Sequence, residues 1–175
     1  MRRAPNPFWR YSLRVYRQDG VEQACLALQD DYGADVNLLL FCGWVASEGR
    51  CLDGRRLRRA VARVRDWQSR VIVPLRQARR AHKRLAGAAG PASDSARSQH
   101  RRLLALELEL ECVEQSLLAE LAASWPQRRR ALPPAEAARA NLARYLQLLS
   151  SPSDAAAVAH AAVLVQAFGS ARAAS

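Results

Sequence analysis

The residues of this chain whose side chains could do chemistry are few and widely spaced. The cysteines are Cys25, Cys42, Cys51 and Cys112, and the histidines are His82, His100 and His160. No two cysteines are two residues apart, and no histidine stands at zinc-finger spacing from them. The sequence has no Glu-x-x-His pair, which would mark a di-metal helical bundle, and no recognisable Ser-His-Asp set. It therefore predicts no metal site and no cofactor, and it favours a non-catalytic protein over an enzyme.

Charge is the feature most suggestive of function, because the stretch between residues 51 and 106 accounts for the whole of the net charge of +11. That stretch holds fifteen basic and three acidic side chains. Within it, a helix predicted over residues 54–86 carries its arginines on one face. The predicted binding residues are Arg55, Arg56, Arg58, Arg59, Arg63, Arg76, Arg80 and Arg84. Such a face attracts anions, and we expect it to bind an acidic protein surface or a nucleic-acid-containing assembly.

The alternative to a binding role is a solvated basic face that neighbouring acids partly neutralise. Helix 54–86 and the helix after it could form an antiparallel hairpin that brings the two sets of charges together. The acids are Glu107, Glu111 and Glu114, and their predicted partners are Arg65, Arg76 and Arg79. Exposed pairs contribute only about 0–1 kcal/mol each, and these acids are too few to neutralise the basic stretch. The sequence gives no support for sequence-specific recognition of nucleic-acid bases, because Trp67 is the only aromatic residue among the arginines.

A second hypothesis places a ligand between the helices. Asn37 stands on an otherwise apolar helix and must find hydrogen-bond partners if it is buried. Together with Trp44, His82 and nearby arginines, it could line a pocket. In that case the chain would be a small-ligand-binding protein or an enzyme, and the sequence leaves both hypotheses open.

Hydrophobic periodicity indicates helices throughout the chain. Helices are predicted over residues 7–17, 21–32, 36–48, 54–86 and 95–124, with two more beginning at Pro134 and near Asp154. Helix 36–48 is apolar on all sides, which places it at the centre of the fold. Pro74 predicts a kink or a break in helix 54–86, because proline lacks a backbone donor. The helix over 95–124 carries a predicted packing seam of Leu103, Leu106, Leu110, Val113, Leu117 and Leu121.

The expected architecture is an all-α bundle of six to seven helices. We expect residues 1–175 to form a single domain, with a flexible loop at about 87–94. Two arginines open the sequence without a following apolar run, which argues against a signal peptide. No apolar stretch is long enough to span a bilayer. A cytoplasmic location is therefore expected.

Four sequence patterns resemble a known family. They are FWxYS at 8–12, GVxxACLxLQ at 20–29, GADVNLLLFCxW at 33–44 and VPLRxxRR at 73–80. The combination is similar to a proteobacterial family of uncharacterised conserved hypothetical proteins, defined by a domain of unknown function. The resemblance implies a bacterial cytoplasmic protein of about this length. It implies no activity and no catalytic residues.

Overall fold

The computed structural model describes residues 6–86, 93–126, 132–149 and 154–171, and all regular structure within them is helical. The helices are α1 (Pro7–Tyr16), α2 (Val21–Tyr32), α3 (Val36–Ser47), α4 (Gly54–Trp67), α5 (Val73–Ala86), α6 (Ser93–Ala123), α7 (Pro134–Leu148) and α8 (Ala155–Ser170). The π-helical segment Gln68–Ile72 joins α4 to α5 without a break. This confirms the predicted all-α bundle. The loop expected at 87–94 falls largely on residues 87–92, which lie outside the described residues.

Helix α3 is the central element, as its apolar circumference predicts. Every residue from 37 to 46 is buried, and α3 packs against helices on several sides, above all α7. The Asp35 side chain caps its start by accepting a hydrogen bond from the Asn37 N–H at 2.8 Å. On the α1 side, the Phe8 ring stacks on Trp44 with centroids 5.1 Å apart. Phe8 and Trp44 are therefore core residues.

Two contacts hold the later helices against α3. The fully buried Asn141 of α7 accepts the Leu52 N–H at 2.7 Å and donates to the Cys42 carbonyl at 3.1 Å. Gly43 allows α8 to approach closely, because a Cβ at this position would lie 2.5 Å from the Phe168 ring. The second contact is steric, whereas the first satisfies polar backbone groups that burial would otherwise leave unpaired.

Of the two effects predicted for Pro74, a kink or a break, the break does not occur, because the helix continues past this residue. The helix widens just before it, where the Val73 N–H donates to the Gln68 carbonyl five residues earlier. A proline ring clashes with the carbonyl four residues back and supplies no N–H. A π turn relieves both problems locally while the helix continues.

The predicted leucine seam of α6 is only partly correct. Leu117 and Leu121 pack against the core, but Leu106 and Val113 are 45% and 43% exposed. The most buried face of α6 instead carries polar side chains together with small or apolar ones. Its buried members are Ala96, Glu107, Glu114, Gln115, Leu118 and Ala122. Periodicity alone missed this face because hydrogen bonds, not apolar character, allow its polar members to be buried.

Candidate functional site

Four arginines form an exposed row on α4, which we call the arginine face: Arg55, Arg58, Arg59 and Arg63. Asp53 caps the start of this helix by accepting the Arg56 N–H at 2.8 Å. None of the four guanidinium groups forms an ion pair with any described residue. Three of them, at positions 55, 59 and 63, are four residues apart and therefore neighbours on the helix surface. The result is a concentrated positive surface facing solvent.

The other predicted binding residues have different surroundings. The Arg56 guanidinium is half-buried and lies 5.3 Å from the centre of the Trp125 ring, so it packs on the protein instead of joining the arginine face. Arg84 is exposed near the end of α5. Arg76 and Arg80 line a cleft beside α6. Leu106 is not among the residues that line this cleft and is exposed to solvent. Thus the eight predicted arginines do not form one surface.

The cleft lies between α1, α2, α3, α5 and α6 and has a volume of about 600 Å³. Its walls include four leucines that are 38% to 45% exposed: Leu13, Leu26, Leu104 and Leu108. Trp9 lies at the same opening. Large apolar side chains gathered around an open cleft are typical of a binding site.

A chain of hydrogen bonds forms the floor of the cleft. The Ser12 hydroxyl donates to Gln115 Oε1 at 3.0 Å, and Gln115 Nε2 donates to Asn37 Oδ1 at 2.8 Å. The Asn37 Nδ2 then donates to Glu114 Oε2 at 2.9 Å. All four residues are buried, so these hydrogen bonds fix their side-chain orientations. Asn37 thus has the partners that its burial requires.

Beneath the floor, two buried carboxyl groups lie within hydrogen-bonding reach of each other, on Asp35 and Glu114. Asp35 Oδ2 and Glu114 Oε1 have no other partner, so a shared proton is needed to satisfy them. Burial, followed by the neighbouring Asp35 carboxyl, raises the pKa of Glu114 to about 10. Burial also raises the pKa of Asp35. The pair therefore holds one proton at neutral pH, which we place on Glu114 because Asp35 caps α3.

The rim of the cleft on the α5 side is an ion-pair network. Arg76 donates to Glu107 at 2.8 Å and to Glu111 at 2.7 Å, and Arg79 donates to Glu107 as well. Burial favours protonation of Glu107, but hydrogen bonds from both arginines outweigh it and lower its pKa. Burial raises the pKa of Glu111. Arg80 pairs with Asp30 at 3.0 Å across the opening.

This network matches part of the hairpin expected from the sequence. Glu107 and Glu111 do meet Arg76 and Arg79 across α5 and α6. Arg65 takes no part, and the third glutamate, Glu114, points to the floor instead.

The structure separates the three residues predicted to line one pocket. Asn37 reaches the cleft, but Trp44 lies beside a different depression near Trp125. His82 is outside the cleft as well, with Nε2 3.2 Å from Gln99 Oε1. Their places differ because α3 presents Asn37 to α6 and Trp44 to α1. No group of three His, Cys, Asp or Glu side chains in the described ranges could hold a metal ion.

Sequence reasoning missed Ser12 and Gln115, the other floor residues. A usable signal was present: polar Glu114 and Gln115 stand between apolar residues in the middle of α6. An interior polar pair at that position predicts buried partners on a facing helix. Asn37, a polar residue among the apolar ones of the central helix, is the candidate partner for that pair.

The fold and these two surfaces define an all-helical protein with a basic face and an amphipathic cleft. Residues 7–118 match the family described as "Protein of unknown function (DUF2390)", and the chain belongs to that family. This confirms the predicted membership of an uncharacterised conserved family. No curated protein and no solved structure matches the chain. The matched region contains the arginine face and every residue that lines the cleft.

None of the described helices is long and apolar enough to cross a membrane.

Proposed function

We propose that this protein is a non-catalytic cytoplasmic interaction protein that binds an acidic partner protein through the arginine face. The observation that supports this best is the contrast between two sets of arginines. Those of α5 that face α6 are paired with glutamates, whereas the arginine face has no ion-pair partner among the described residues. A bound acidic surface would supply the missing counter-charges.

The physical cost of the unpaired row supports a binding role. Like charges four residues apart destabilise a helix by about 0.2–0.5 kcal/mol per pair. A guanidinium can bind a carboxylate through two parallel hydrogen bonds, so an acidic partner converts this repulsion into attraction. Such charges also speed association with an oppositely charged surface.

An acidic protein fits this surface better than a nucleic acid does. Proteins that bind single strands stack bases on exposed aromatic rings. The one aromatic residue among these arginines, Trp67, is half-buried, and its Nε1 donates to the Leu110 carbonyl at 3.0 Å. It is therefore engaged in the hairpin with α6 and does not offer a stacking surface.

The test is an affinity pull-down from native cytoplasm across a salt series, with and without nuclease. The binding variant reverses all four residues of the arginine face to glutamate. A matched control reverses four other exposed arginines, Arg10, Arg17, Arg139 and Arg144. We expect a partner protein that survives nuclease, is lost with the binding variant and is kept by the control, while both variants melt within a few degrees of the native protein.

Three results would contradict the proposal. Loss of all bound material after nuclease treatment would make the surface a nucleic-acid clamp. Equal loss in both variants would show that only overall charge matters. Capture that is insensitive to all eight substitutions would assign the partner to another surface.

We also propose a second candidate function, binding of a small ligand in the cleft. The observation that favours it is a cleft of about 600 Å³ that reaches Asn37, which is within the usual range for small-molecule sites. The two functions use different surfaces and can be tested separately.

A further inference from the structure

We propose that the cleft binds a monoanionic amphiphile, an alkyl carboxylate whose chain lies along the leucine walls and whose head group is held by Lys83 and Arg80. This inference rests on the second candidate function and names its ligand class. It combines the shape of the cleft, its apolar walls and the distribution of charge at its rim.

The apolar walls of the cleft favour a ligand with an apolar body. Leu13, Leu26, Leu104 and Leu108 come from three helices and all remain more than a third exposed around one opening. Covering apolar surface of this kind is the main favourable contribution to ligand binding in most small-molecule sites. Water is a poor occupant for these walls, whereas an alkyl chain can contact all four.

The shape of the cleft favours a narrow, extended ligand. The lining residues on α6 run from Leu104 to Gln115, which corresponds to about 16 Å along the helix. The buried floor formed by Ser12, Gln115 and Asn37 closes the cleft below. A flexible chain lying along α6 fits this space better than a bulky ring system.

The charges at the rim call for a single negative head group. The charged residues that line the cleft are Glu22, Arg76, Arg79, Arg80, Lys83, Glu107 and Glu111. Four are cations and three are acids, and Asp30 pairs with Arg80 from just outside the lining. Lys83 is the one cation among these lining residues that forms no ion pair with a described residue. Arg76 and Arg79 are held by the glutamates of α6, and Arg80 pairs with Asp30 while remaining 43% exposed.

Lys83 is the cation best placed to accept the head group. It is exposed, it lines the cleft, and it forms no ion pair with a described residue. It also stands one helical turn beyond Arg79, at the Leu104 end of the cleft. A carboxylate there leaves the rest of the chain free to run towards Trp9.

Lys83 is also the only lysine in the sequence, which gives the test a direct readout. Dodecanoate is titrated into the full chain below its critical micelle concentration and followed by calorimetry. In parallel, an amine-reactive acetylating reagent is applied and modification of Lys83 is measured by mass spectrometry. We expect saturable one-to-one binding of dodecanoate and at least threefold slower acetylation of Lys83 in its presence.

Matched variants separate the head-group contact from the chain contact. Lys83→Met should weaken dodecanoate binding threefold or more and leave dodecanol binding unchanged, whereas Lys83→Arg should preserve both. Arg84→Met removes the same charge from the neighbouring exposed residue outside the cleft, and it should have no effect. Leu104→Glu and Leu108→Glu should each weaken both ligands tenfold or more. Both leucines are exposed enough for these variants to fold.

Each alternative result overturns a defined part of the proposal. Equal binding of dodecanoate and dodecanol, with no effect of Lys83→Met, would refute the head-group assignment but keep the cleft as an apolar site. No binding of either ligand would refute the amphiphile proposal, while the second candidate function would then depend on ligands of another class. Binding that survives the leucine variants would place the ligand elsewhere. The variant of the arginine face should bind dodecanoate normally, so failure here leaves the partner-binding proposal untouched.

Discussion

The buried carboxyl pair beneath the cleft predicts an unusual dependence of stability on pH. Glu114 is fully buried, and its pKa is raised from 4.5 to about 10, so the folded chain holds a proton that the unfolded chain releases above pH 4.5. Its contribution to stability is therefore complete below pH 4.5 and is lost progressively as the pH rises towards 10. The substitution Glu114→Gln keeps the shape, the donor towards Asp35 and the acceptor for Asn37, but it cannot release a proton.

The size of the effect follows from linkage. One proton held only by the folded state changes the free energy of unfolding by about 1.4 kcal/mol per pH unit. Between pH 5 and pH 8, the native protein should lose up to about 4 kcal/mol relative to Glu114→Gln through this group. The variant should therefore gain relative stability as the pH rises, whereas the two proteins should be closer near pH 5.

Urea unfolding at pH 5, 6, 7 and 8 measures this directly. The control variant is Glu109→Gln on the exposed side of α6, which should follow the pH dependence of the native protein. The relevant quantity is the difference in unfolding free energy between variant and native protein at each pH. Parallel curves for Glu114→Gln and the native protein would refute a shared proton in the folded state.

Three further substitutions test the contacts that hold the fold and the rim. Arg76→Met should destabilise the chain by about 3 kcal/mol in thermal or urea unfolding, because it leaves the buried Glu107 with fewer partners; a change below about 1 kcal/mol would contradict this. Asn141→Leu should cost about 2–4 kcal/mol by leaving buried backbone groups unpaired, and an unchanged melting temperature would argue against it. Gly43→Ala should cost about 1–3 kcal/mol through its clash with Phe168, which Phe168→Leu should partly relieve.

The helices and the central position of α3 were predictable because hydrophobic periodicity and capping residues report local structure. Asp35 and Pro134 mark helix starts in the sequence and in the structure alike. The apolar run that surrounds Asn37 likewise gives the central helix directly. These signals need no knowledge of which helices are neighbours.

The cleft was only partly predictable, because its residues come from five helices whose packing the sequence does not state. Asn37 stood out as a polar residue on an apolar helix, and the pairing of Arg76 with Glu107 followed from a simple hairpin. Gln115 did not stand out, since its burial depends on bonds to Ser12 and Asn37. Likewise, the rotation of α6 that exposes Leu106 depends on those polar contacts and not on apolar spacing.

The rotation of α5 relative to α4, more than the amino-acid composition, separates the arginine face from the arginines that pair with α6. A π turn inserts one extra residue into an α-helix, and each residue turns the helix by about 100°. The segment Gln68–Ile72 therefore sets the rotation of α5 relative to α4, so that Arg63 faces solvent while Arg76 faces Glu107. Deleting one residue of this segment other than Arg70 would keep every arginine yet turn Arg76 away from Glu107. In this family, an insertion or deletion within the segment should move charged side chains between the cleft and the outer surface. It should do so more effectively than any single substitution.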